Sequence, residues 1–256
     1  MSNRAGLGLW EPSSTASTRS LVVTKLAERS SRDFVVPGLR QIFTQDQPYA
    51  RVHTVVCGTK YYIPVWMSCS TVVLCVAEKP SLALAIAGHL SGQRHTTRRG
   101  GATDVHEFSG QFRGKPAAFR VTSVKGHVFN LTFAPQYESW DVDPQELFGA
   151  ETVKVPTSGA VVGHLEREAR GAAHLVLWLD CDREGENICF EVMHCCCPTM
   201  QPGPGRRVHR AQFSAVSEAS IREAMRSLGE PDERQASAVD ARQELDLKVG
   251  IAFSRF

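Results

Sequence analysis

Four acidic residues fall at every second position in Asp180-Cys-Asp182-Arg-Glu184-Gly-Glu186, directly after the apolar run Leu175-Val-Leu-Trp-Leu179. Successive side chains of an extended chain point to opposite faces, which predicts Asp180, Asp182 and Glu184 on one face at a strand's end. Carboxylates crowded in this way repel one another unless a cation lies between them. Their hard oxygens suit Mg²⁺, which takes few protein carboxylates and keeps waters and phosphate oxygens in its shell. The rival reading is a solvated acidic loop; the strand before the acids and the helix opening at Gly185 favour a metal site. A further acid, Glu78, follows a second apolar run, Thr71-Val-Val-Leu-Cys-Val-Ala77, with Lys79 and Pro80 behind it. Ligands of open α/β sheets bind beyond the carboxyl ends of the strands, so Glu78 is expected to meet Asp180 and Asp182 across neighbouring strands. Lys79 supplies a cation suited to a phosphate, or to proton delivery onto a leaving oxygen. The helix starting at Pro80 adds backbone N–H groups and a positive dipole end. Together these are the parts of a phosphoryl-transfer site. Alone, Glu78-Lys79 reads equally well as an exposed ion pair.

Positioning such residues requires an α/β sheet. Residues 71–77 are β-branched without alternation, as in a strand buried on both faces. Leu82, Ile86 and Leu90 follow at helical spacing, with Pro80 at the start and Gly92 at the stop. Asp104–Phe112 and Pro116–Val124 read as paired strands around a turn, and His174–Leu179 and Val208–Phe213 as further strands. Helices are expected over Glu186–Cys196, Ser217–Leu228 and Glu233–Phe256, the last with a stripe of Leu245, Val249, Ala252 and Phe256. Gly159–Gly163 and Gly203-Pro204-Gly205 read as loops. Strands alternating with helices predict a mostly parallel sheet flanked by helices. The first 70 residues have weak periodicity, with short strands expected only near Val55 and Tyr61.

Bulk properties narrow the options modestly. The chain has 256 residues, 42% hydrophobic and 22% charged, which suits a folded core. A net charge of +2 announces no nucleic-acid partner, so any such site must rest on local charge such as Arg206, Arg207 and Arg210. The eight cysteines form no C-x-x-C pair, and Cys195, Cys196 and Cys197 are consecutive, which fits free thiols better than a zinc site or a disulfide framework. Cys181, between two acids, is expected in the core. An intracellular, reducing location is expected; the nucleus or cytoplasm is what the family resemblance given below implies. The Arg- and Ser-rich first 35 residues leave a mitochondrial transit peptide as the rarer alternative to an unrelated extension. No apolar stretch is long enough to span a bilayer.

Glu78 after a first strand and Asp180-x-Asp182 after a later one resemble the Toprim domain, a Rossmann-like α/β fold. Val76-Ala-Glu78-Lys79-Pro80-Ser81, Thr122-Ser-Val-Lys-Gly126-His127, Leu179-Asp-Cys-Asp-Arg-Glu-Gly-Glu-Asn-Ile188 and Val239-Asp-Ala-Arg242-Gln-Glu-Leu-Asp246 extend the likeness to type IA DNA topoisomerases. Trp140-Asp, Pro144-x-Glu-Leu-Phe148 and Leu228-Gly-Glu-Pro-Asp232 are worded like eukaryotic members. The resemblance covers residues 71–256 and implies three parts: an extension over 1–70, a Toprim domain over 71–216, and helices over 217–256 opening the next domain. It implies Mg²⁺ held by Glu78, Asp180 and Asp182, with Glu184 contributing nearby, and Lys79 at the scissile phosphate. Arg210 and Arg242 would face the nucleic-acid backbone, and His127 would have a secondary role. The family cuts a single nucleic-acid strand through a 5′-phosphotyrosine, with single-stranded DNA the expected partner and DNA versus RNA preference open; Tyr49, Tyr61, Tyr62 and Tyr137 match no part of that tyrosine's motif. The chain alone is therefore expected to be an inactive, truncated half-site, with the surfaces for protein scaffold partners elsewhere. Two alternatives stay open: another Toprim enzyme of nuclease or primase type, and an inactive nucleic-acid-binding isoform.

Overall fold

The computed structural model describes residues 52–56, 59–63, 71–205 and 207–256. Two compact units divide the chain, residues 1–62 and 63–256. The first holds a two-stranded sheet of β1 (Val52–Val56) and β2 (Thr59–Ile63), near the two places where short strands were expected. The expectations of a transit peptide or unrelated extension otherwise lie outside the described residues, as does Arg206 of the basic strip.

The second unit is built on a six-stranded sheet. In chain order its strands are β3 (Val72–Ala77), β4 (Thr96–Arg99), β5 (Asp104–Phe112), β6 (Lys115–Ser123), β9 (His174–Trp178) and β10 (Val208–Arg210). In space the order is β10-β9-β3-β6-β5-β4. The first four run parallel, and β5 and β4 continue antiparallel at the edge. The β-branched run of β3 lies at the centre, with Val73 to Ala77 all at 0% exposure. Its alternation divides between two cores. Val73, Cys75 and Ala77 pack on Leu82, Ala83 and Ile86 of α1 (Pro80–Ser91) and on Ile221 and Ala224 of α4 (Glu218–Arg226). Leu74 and Val76 pack on Leu165 and Ala169 of α2 (Gly159–Ala169) and on Ile188, Cys189 and Val192 of α3 (Arg183–Cys196). A strand covered by helices on both faces has no solvent side, so it reads as a continuous apolar run.

α1 starts with Pro80 in its first turn and stops at Gly92, whose φ of +62° is the left-handed cap that glycine adopts at least cost. α4 joins the same core as α1, although the expected domain boundary at 217 precedes it. Several expectations need correction. Gly159–Gly163 is the first half of helix α2, which is held by the burial of His164, Leu165, Glu168 and Ala169 farther along it. The strand at Val208 ends at Arg210, whose main chain pairs with Gly229. A separate antiparallel pair, β7 (Phe129–Phe133) and β8 (Thr152–Pro156), is joined by a link holding two short 3₁₀ turns and was not among the expected strands.

The last helix, α5 (Glu233–Arg255), packs along α3. Its buried face is Ala236, Val239 and Ala252; Leu245 and Phe256 of the expected stripe are 62% and 77% exposed. Ala252 meets Leu147, Phe133 and Ala150 in a third small core. Arg255 donates to the carbonyls of Tyr137, Glu138 and Ser139, and its guanidinium lies 5.4 Å from the Trp140 ring centroid. The Trp140 to Phe148 segment thus docks the end of α5.

Candidate active site

The parallel register of β3 and β9 pairs Ala77 with Trp178, so the next residues, Glu78 and Leu179-Asp180, emerge side by side. Glu78 Oε2 accepts the backbone N–H of Asp180 at 3.0 Å, across 102 residues of sequence. Lys79 Nζ lies 3.4 Å from Asp180 Oδ2, with side-chain exposures of 55% and 44%. So exposed a pair stabilises by only about 0–1 kcal/mol. Its importance is chemical: it leaves an ammonium group beside two acids at the carboxyl ends of two interior strands.

Asp180, Asp182 and Glu184 do not share a strand face as expected. β9 stops at Trp178, and the chain turns into α3 five residues later. Asp180 lies in the connecting bend. Asp182 is the N-cap of α3, its Oδ1 accepting the Gly185 N–H at 2.7 Å. Glu184 sits in the first helical turn, where an acid also complements the helix dipole. Gly185 explains the sharp turn. A Cβ at this residue would stand 1.9 Å from the Asp180 carbonyl oxygen and 2.9 Å from its carbon. Only glycine lets the helix start directly against the strand end.

Arg210 is placed differently from expectation. It is at 0% exposure, buried behind the acids, and cannot serve as a surface arginine along a nucleic-acid backbone. Its Nε donates to Glu186 Oε1 at 2.8 Å, Nη1 to the carbonyls of Leu179 (2.8 Å) and Ala211 (3.0 Å), and Nη2 to the carbonyl of Asp180 (2.8 Å). The other oxygen of Glu186 accepts the Asp232 N–H ahead of α5. One buried guanidinium therefore fastens the turn that carries Asp180 and, through Glu186, the start of the last helix. Arg242 remains at the surface, 58% exposed, and pairs with Glu184. Asn187, one turn into α3, donates to the Ala236 carbonyl and to Asp240 of α5. Cys181 is exposed, not in the core; its Sγ exchanges hydrogen bonds with the main chain of Phe213.

His127 stands between two acids of α3, with Nε2 3.3 Å from Glu184 and Nδ1 3.1 Å from Glu191. The hydrogen bond to Glu191 is the main reason its pKa lies above the ordinary value, against the opposing effect of burial. Glu191 and Asn187 were not singled out from sequence, and Glu186 was read only as the last of the four alternating acids. The signal existed for Glu191: it lies seven residues after Glu184, two helical turns on, and so shares its face.

The acids fit a hard divalent cation by chemistry. Glu78, Asp180 and Asp182 each have one oxygen engaged by a protein group, and the second oxygen of each accepts no hydrogen bond among the described residues. They do not form a closed cage: no group of three His, Cys, Asp or Glu side chains among the described residues is gathered tightly enough to hold a metal ion.

Comparison with known proteins shows the family. The profile of the Toprim domain matches residues 73–215. DNA topoisomerase 3-beta of Arabidopsis thaliana is 55% identical over 187 residues, which is 72% of this chain and 21% of that protein. DNA topoisomerase 3-beta-1 of Homo sapiens is 50% identical over 192 residues, 72% of this chain and 22% of that protein. DNA topoisomerase 3-alpha of Homo sapiens is 43% identical over 189 residues, covering 19% of its length. The chain thus spans about a fifth of the relatives it matches. Expectation and structure agree on a mixed α/β fold with a mostly parallel sheet and a long last helix. The chain belongs to the Toprim family, and its sequence is similar to the topoisomerase III-beta branch of the type IA DNA topoisomerases.

Proposed function

We propose that this chain supplies the acid-and-lysine half of a type IA topoisomerase active site, which cuts and rejoins one strand of nucleic acid. The observation that carries the reading is the meeting of Glu78, Lys79 and Asp180 beyond the carboxyl ends of β3 and β9, with Asp182 capping the adjacent helix. Glu78, Asp180 and Asp182 would hold Mg²⁺, which when bound supplies charge neutralisation at a phosphate. Lys79 Nζ is placed to hold a non-bridging phosphate oxygen, or to pass a proton to the departing sugar oxygen. Arg242, exposed on α5, binds the strand alongside. Glu184 positions Arg242 and contributes to the site only through it. The attacking tyrosine must lie in line with the phosphorus at roughly 3–3.5 Å; Tyr49, Tyr61, Tyr62 and Tyr137 match no part of the family tyrosine's motif. Single-stranded DNA is the substrate class, with RNA allowed by the same backbone chemistry.

Grafting residues 71–256 in place of the matching segment of the human topoisomerase 3-beta-1 tests this. The chimera is expected to form a Mg²⁺-dependent covalent adduct with labelled single-stranded DNA on a denaturing gel, and the same graft with Lys79→Ala is expected to lose it. Adduct formation indifferent to Lys79, or an adduct on the ungrafted chain alone, would contradict the proposal. Free cleavage products without an adduct would favour a Toprim nuclease.

A further inference from the structure

Glu191 is a buried acid beside the site to which strand cleavage assigns no task. Its side chain is 3% exposed. Oε2 accepts the Val128 N–H at 2.7 Å, and Oε1 lies 3.1 Å from His127 Nδ1. The opposite ring nitrogen, Nε2, lies 3.3 Å from Glu184 Oε2. A neutral imidazole carries one N–H and one acceptor nitrogen, whereas these two nitrogens each face a carboxylate oxygen; only the imidazolium form donates to both. Glu184 Oε1 in turn takes the guanidinium of Arg242 from α5. A continuous line, Val128 N–H to Glu191 to His127 to Glu184 to Arg242, therefore joins the loop after β6 to α3 and to α5. Gly126, at a φ of +79°, lets the loop turn so that both His127 and the Val128 N–H reach Glu191. The groups facing the ring are Glu191 and Glu184 of α3, with Arg242 of α5 behind Glu184.

We propose that His127 is a positioning residue: it ties Glu184 to the buried Glu191 and so sets where Arg242 presents its guanidinium to the nucleic-acid strand. The strand-facing half rests on the topoisomerase reading; the tie itself does not. With His127 on one oxygen and Arg242 on the other, the Glu184 carboxylate is held from both sides and serves as a fixed anchor. Without His127, Glu184 keeps Arg242 but loses its own reference to the core.

Two measurements on the full chain separate the halves. Ring-nitrogen NMR through a pH titration should find His127 with both nitrogens protonated in the majority at pH 6.5, and its midpoint should fall in Glu184→Gln and in Glu191→Gln. A midpoint at the ordinary value and unmoved by either variant would overturn the tie. Anisotropy with a labelled single-stranded oligonucleotide then compares His127→Ala, Arg242→Ala and the double variant. Coupled neighbours differ from additivity by at least about 0.5 kcal/mol, so the double variant's loss should fall short of the product of the single losses by about twofold or more. His127→Gln, which keeps one donor, should recover part of the loss. Losses that multiply would overturn the link to Arg242 while leaving the topoisomerase reading intact. No oligonucleotide binding by the unaltered chain would sink that reading and the strand-facing half together, with the NMR result still deciding the tie.

Discussion

Replacing Gly185 with alanine opposes two effects of known sign. Gly185 is the third residue of α3, and alanine in a helix is favoured over glycine by roughly 1 kcal/mol. Against this, the added Cβ would stand 1.9 Å from the Asp180 carbonyl oxygen and 2.9 Å from its carbon. Both are backbone atoms, and the same carbonyl is held at 2.8 Å by the buried Arg210 guanidinium, so neither can swing aside as a side chain would. Forcing a methyl group into a packed site costs about 1–3 kcal/mol or somewhat more. With the upper end appropriate to a backbone collision, the net is a loss of about 2 kcal/mol. For a domain of this size that is a fall in Tm of about 4–8 °C. Gly163→Ala is the matched control: it lies in α2, where an added Cβ meets nothing within 4 Å. That variant should gain up to about 1 kcal/mol from helix propensity alone. Thermal unfolding followed by circular dichroism measures both. If Gly185→Ala melts at or above the unaltered chain, the close approach of α3 to Asp180 is not what shapes the acidic turn.

Other consequences follow from the same contacts. Arg210→Met leaves Glu186 buried and unpaired and should cost about 3–5 kcal/mol in urea unfolding, with part recovered by adding Glu186→Gln. Histidine linkage has two signs. His127, raised by Glu191, contributes stability that is complete below pH 6.5 and lost as pH rises through its folded-state midpoint, and His127→Gln should abolish this dependence. His164 is held below the ordinary value by burial, so the unfolded chain takes its proton first; stability should fall as pH drops below 6.5, less so in His164→Gln. Burial pushes the thiols of Cys75 and Cys189 up to about 12, while Cys181 is exposed. Peptide mapping after brief alkylation at pH 8 should find Cys181 labelled far ahead of those two.

The strands and helices around β3 were legible because a doubly covered strand must be apolar on both faces, and residues 73–77 are. Glu78 and Asp180 could be placed together from the rule that parallel strands deliver their following residues to one edge. What misled was the two-residue alternation of the acids. It is a strand period, yet the chain had already left the sheet at Trp178, and a helix start, fixed by Gly185, uses Asp182 as a cap. Arg210 misled in a different way: an arginine in a short polar strand gives no local sign of burial, and its partner Glu186 is 24 residues away. The stripe on α5 held only at Ala252, because the helix packs through Ala236, Val239, Leu247 and Ile251, while Leu245 and Phe256 face out.

Magnesium calorimetry on the full chain, with a single-stranded oligonucleotide present, tests most directly whether Glu78, Asp180 and Asp182 form a metal-and-phosphate site. The unaltered chain is expected to take up Mg²⁺, and Asp180→Ala/Asp182→Ala to lose that uptake while keeping its fold. Equal Mg²⁺ affinity in the two proteins would contradict it.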